Sequence, residues 1–145
     1  MQTMNFKDAD SATTELANLK RKWVRITDRF TGLIQYWSDV ATTHLGKIVA
    51  IDQVEEGSNR FTATTLGKNF TVEMTSIIFN GELYGRILIH TPTPLNSSRL
   101  LAGEVLLSDS GKILSPEGAV LADSNADSTA DYQLLCEIIR VAIAD

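Results

Sequence analysis

One cysteine, three prolines and two histidines in 145 residues leave little material for several kinds of chemistry. The single thiol, Cys136, excludes an internal disulfide and any multi-cysteine metal site. His44 and His90 belong to no short-spaced pair, so no metal site and no cofactor are expected. No apolar run approaches the roughly 20 residues of a membrane span, and no Pro/Gly/Ser-rich linker separates two domains. The opening residues Met1 to Asp8 lack a basic start and an apolar h-region. A single cytoplasmic domain over residues 1–145, without membrane association, is therefore expected.

Catalytic and nucleotide motifs are also missing. Gly67-Lys68 and Gly111-Lys112 lack the remaining residues of a phosphate-binding loop, and neither G-x-G-x-x-G nor G-x-S-x-G occurs. Arg21 and Arg25 have the spacing of the arginine pair in cyclic-dinucleotide-binding PilZ domains, but no D-x-S-x-x-G element follows. Cys136 lies in the apolar arc of a helix and reads as an inert core residue. Carboxylates and serines cluster in Asp109-Ser110-Gly111 and Asp123 to Ser128, where turn and capping chemistry accounts for them, while Glu55-Glu56 reads as a solvated pair beside a turn. The chain is expected not to be an enzyme.

What the chain does contain is pattern. Ala12, Leu16, Leu19, Trp23, Ile26, Phe30, Leu33, Trp37 and Val40 alternate at steps of three and four, the stripe of about four heptads. This predicts a helix over residues 11–44, on the order of 50 Å long, with Asp8, Asp10 and Ser11 as N-cap candidates. Gly32 is the place for a bend, at a cost of about 1 kcal/mol relative to Ala.

A sheet is predicted over 47–122, a β-meander of five or six antiparallel strands. Asn80-Gly81 is a strong hairpin signal that pairs Ile78 with Leu83, Met74 with Ile87 and Val72 with Ile89. Gly67-Lys68 read as a type II′ turn pairs Thr65 with Phe70, Ala63 with Val72 and Phe61 with Met74. Both turns put Phe70, Val72 and Met74 on one face. The other face carries Ile77 opposite Tyr84 and is too apolar to be wholly solvated. A helix over 129–144, opened by Ser128 and Asp131, is apolar over most of its circumference and is expected to be buried. The fold class is α+β.

Charge is uneven: residues 1–46 carry a net of +1 and residues 47–145 a net of −6. Arg21, Lys22, Arg25 and Arg29 share a helical face that either lies along phosphates or meets the acidic remainder of the chain. The apolar stripe is longer than a small sheet covers. Leu16, Leu19, Trp23, Ile26, Phe30, Leu33 and Trp37, with Ile77 and Tyr84, are therefore read as interface residues of a homodimer. The expected function is non-enzymatic protein binding by a chaperone-like or inhibitor-like accessory protein with an unidentified protein partner. The alternatives are a regulator touching nucleic acid through the basic face, and a small-ligand or enzymatic domain with a pocket between helix and sheet.

Overall fold

The computed structural model describes residues 3–55, 57, 59–92 and 99–144. The loop expected at Thr93 to Ser98, and Glu56 and Ser58 of the expected first turn, lie outside the described residues.

The chain is α+β. It opens with α1 (Ala9–Thr43), a continuous helix of 35 residues. Asp8 caps it by accepting a hydrogen bond from the Ser11 N–H at 2.8 Å, and Gly46, at φ +55°, turns the chain beyond its end. Gly32 neither breaks nor ends the helix. Phe30, Leu33, Ile34 and Trp37 on either side are buried, and their packing offsets the backbone entropy that glycine loses.

Among the described residues seven strands follow: β1 (Val49–Glu55), β2 (Arg60–Thr65), β3 (Lys68–Phe79), β4 (Glu82–Pro92), β5 (Arg99–Leu107), β6 (Lys112–Leu114) and β7 (Val120–Asp123). They form one antiparallel sheet in sequence order. The expected five or six strands fall short because β6 and β7, with three and four residues, extend the same sheet.

The β3–β4 register is the predicted one, including Ile77 opposite Tyr84. The β2–β3 register is not. Phe61 pairs with Val72 and Ala63 with Phe70, so the turn is Leu66-Gly67 rather than Gly67-Lys68. Leu66 and Gly67 lie at φ +48° and +83°, the two positive values of a type I′ turn. The slip is two residues, so Phe70, Val72 and Met74 remain on the inward face. β1 pairs with β2 from Val49 opposite Thr65, with an irregularity around Asp52.

The last element, α2 (Ala130–Ile143), packs beside α1 on the inward sheet face. Its start is organised by Asp127, not Ser128: the Asp127 carboxylate accepts from the Thr129 N–H at 2.9 Å and from the Thr129 hydroxyl at 2.7 Å. Leu134, Leu135, Ile138, Ile139 and Ala142 are buried, but Cys136 is exposed, contrary to the expectation of a core thiol. It falls on the outer arc with Gln133, Glu137 and Arg140.

The core joins both helices to the inward sheet face. Trp37 is its centre, with ring centroids 6.5 Å from Phe30 and 6.1 Å from Phe61, and its indole N–H donates to the Asp131 carbonyl at 2.9 Å. The outward face has a smaller buried patch. Leu106 and Leu114 pair there, and the loop before β7 folds back so that Gly118 lies against the Phe79 ring. Among the described residues no helix is long and apolar enough to cross a membrane.

Candidate functional site

The stripe of α1 divides at Ile26. From there to Val40 its apolar residues are buried, so Ile26, Phe30, Leu33 and Trp37, read from sequence as interface residues, form the protein's own core. N-terminal to Ile26 no residue of α1 is buried. Leu19 and Trp23 are half-buried, and Leu16 is 67% exposed. The stripe thus continues in register toward the end of the sheet, where Leu19 and Trp23 are only partly covered and Leu16 is exposed.

Under this overhang lies a groove of about 410 Å³, between Leu19, Lys20 and Trp23 on one side and Ser76, Ile77, Ile78 and Leu83 of the β3–β4 hairpin on the other. Ile78 is 54% exposed at its rim. The type I′ turn at Asn80-Gly81 places the hairpin tip here: Asn80 and Gly81, at φ +51° and +77°, keep β3 and β4 paired to their last residues. Ile77 enters the groove only at the end of the sheet. Tyr84, directly opposite it, belongs to the outward face and is not brought to the stripe.

Three of the four basic residues meet the acidic remainder of the chain. Lys22 donates to Glu82 at 2.9 Å, and this bond holds its ammonium above the ordinary lysine value. Arg25 donates to Asp109 at 2.9 Å. Arg29 reaches deepest, donating to the Gly111 carbonyl at 3.2 Å, the Ser124 hydroxyl at 3.2 Å and Asp131 at 3.3 Å. Burial pulls the Arg29 guanidinium below the ordinary arginine value, while the charges of Asp131 and Asp123 act against that pull. Arg21 is exposed and bonds Asn18 on its own helix. Residues 22, 25 and 29 fall on one line of α1, and that line is a seam fastening the helix to three other parts of the chain.

Outside this region, His90 Nε2 lies 3.0 Å from Glu73 on the outward face, and Arg86 donates to Glu104 at 2.5 Å. Among the described residues, no three of His, Cys, Asp and Glu are grouped as a metal would require. Along α1 the arrangement offers a partly covered apolar stripe, a groove beneath it and charge of both signs. Sequence periodicity located the stripe; only the position where the sheet ends divides its residues between core and surface. No family model, curated protein or solved structure matches this chain.

Proposed function

We propose that the chain is a non-enzymatic, cytoplasmic protein-binding module, chaperone-like or inhibitor-like in role, that works as a homodimer through the N-terminal half of α1. The observation that carries this reading is the overhanging stripe of Leu16, Leu19 and Trp23. A helix of this length gains its stability from packing an apolar face, and here the first half has only partial cover: Leu19 and Trp23 are half-buried against the core and Leu16 is 67% exposed.

The charge sequence of the overhang favours a second copy. Asp10 and Glu15 precede Lys20, Lys22 and Arg25, so the helix is acidic at its start and basic at its middle. Two copies laid antiparallel about a two-fold axis between Ala17 and Asn18 set Leu16 against Leu19 of the partner subunit and Ala12 against Trp23 of the partner subunit. The same register sets Glu15 beside the partner's Lys20 and Asp10 beside the partner's Arg25. Arg25 is 60% exposed even while it bonds Asp109, so it has room for a second carboxylate. A parallel arrangement would stack like charges instead.

The test is light scattering behind size-exclusion chromatography. The wild-type chain is expected at twice its 15.9 kDa mass, and Leu16→Glu and Trp23→Glu at the monomer mass with their circular dichroism unchanged. Leu16 is the cleaner site because its side chain touches little in the protomer. A wild-type monomer at roughly 100 μM, where even a weak specific dimer assembles, would refute the dimer. So would variants that keep the dimer mass.

A further inference from the structure

We propose that the free edge of β7 takes an extended segment of a partner protein, in which apolar residues alternate with Lys or Arg. This rests on the reading of the chain as a protein-binding module but not on its dimerisation.

β7 is the last strand of the sheet and, among the described residues, is hydrogen-bonded on one side only, to β6. Its other side presents unpaired main-chain donors and acceptors, the feature that strand addition uses. The opposite edge differs. β1 has Asp52 at its middle, at the irregularity in its ladder, where the carboxylate accepts from the Thr64 hydroxyl at 2.6 Å. A charge at mid-strand is a usual protection of an edge, and β1 carries one at its irregularity. β7 places apolar side chains there instead: Val120 and Leu121 are 57% and 60% exposed. Leu121 is the extra residue of the β6–β7 ladder, and this aims it toward α2.

Beside that edge a groove of about 200 Å³ opens between sheet and helix, lined by Val105, Ile113, Leu121, Ala122, Ala130 and Leu134. It has room for one or two apolar side chains of an added strand. The surroundings are acidic on balance, although Lys112 stands opposite Asp123 in the ladder. Residues 113–139 hold five acidic side chains, Glu117, Asp123, Asp127, Asp131 and Glu137, and no Lys or Arg. Arg29 engages Asp131 and Arg140 engages Glu137, while Glu117 and Asp127 are exposed. An occupant with Lys or Arg between its apolar residues neutralises this rim while its backbone pairs with β7. A second copy of the chain is disfavoured here, because pairing β7 with itself brings two acidic stretches together.

The probe is a capped synthetic hexapeptide alternating Lys and Val, titrated into the full ¹⁵N-labelled chain. Saturable amide shifts are expected at Val120 to Asp123 and around Leu134, with affinity falling at least about threefold between roughly 50 and 300 mM salt. Leu121→Lys, at an exposed position, is expected to weaken binding about tenfold. The same peptide with Glu for Lys, or with N-methylated valines that cannot donate, is expected not to bind. Shifts absent from β7 at millimolar peptide would overturn the proposal. Equal binding of the N-methylated peptide would also overturn it, by showing charge attraction without strand pairing. The Leu16→Glu chain should bind the peptide as the wild type does, so failure of the dimer and failure of the edge site are read separately.

Discussion

Gly32 and Gly85 both lack a side chain on elements that otherwise favour one, and their surroundings differ completely. A Cβ at Gly32 would meet nothing within 4 Å, on the exposed side of α1. A Cβ at Gly85 would collide with Met74 and come within 2.8 Å of Ile26 Cγ2, where α1 crosses β4. Gly32→Ala is therefore expected to stabilise the protein by about 1 kcal/mol, through helix propensity alone. Gly85→Ala is expected to destabilise it by roughly 1–3 kcal/mol, because α1 must lift from the sheet. Urea unfolding midpoints check both, and shifts of the same sign would refute this account of where α1 lies. The cost of Gly32 is legible from the sequence, but the unbroken helix and the clash at Gly85 are not. Propensity marks Gly32 as a break, while the residues that keep the helix whole, Phe30 and Trp37, act only through the sheet beneath them. Cys136 is a similar case: a helix apolar over most of its circumference does not show which of its apolar residues faces out, and the thiol lies on the exposed arc with Gln133, Glu137 and Arg140.

At the scale of elements, the two tight hairpins show what makes a turn readable. Asn80-Gly81 holds two residue types that tolerate positive φ, so turn, register and face follow together, and the whole β3–β4 ladder agrees with them. The β2–β3 turn has the same type I′ geometry with leucine at its first central position. Leucine gives no signal for positive φ, so Gly67 alone pointed to a type II′ turn one residue later. Alternation of Phe70, Val72 and Met74 cannot detect the resulting slip of two, since it leaves every side chain on its own face. Leu66 therefore carries backbone strain at an exposed position. Leu66→Asn is expected to raise stability by about 1 kcal/mol with the β2–β3 ladder unchanged, as measured by thermal unfolding and by the amide shifts of Phe61 and Val72. A loss of stability would mean that the leucine side chain has an apolar partner worth more than the strain. The short strands β6 and β7 set a different limit. Their positions are visible in the pattern, but three or four residues carry too little alternation to say which sheet they join.

For the whole molecule, the governing fact is that α1 is longer than the sheet that supports it. Its 35 residues span about 52 Å at 1.5 Å per residue, and burial begins only at Ile26. The sequence made this mismatch visible but not its solution, because a heptad stripe looks the same whether it lies on a sheet, on a second helix or in water. The two halves of α1 should differ in local stability. Residues 26–41 are held by the core, by Arg29 and by the indole of Trp37, so their amides exchange only when much of the protein opens. Residues 9–20 are held by the Asp8 cap, the Lys7–Glu15 pair and the half-buried Leu19, too little for a helical segment that is marginal when isolated. If antiparallel pairing covers that segment, its protection must depend on protein concentration through mass action. Hydrogen exchange by mass spectrometry, run at concentrations about tenfold above and tenfold below the dissociation constant, is therefore expected to show faster exchange on dilution in residues 9–20. Peptides covering 26–41 should not change, and Leu16→Glu should show the fast pattern at every concentration. A slow, concentration-independent pattern across the first half would mean that α1 is self-sufficient and that the stripe from Leu16 to Trp23 contributes nothing to assembly.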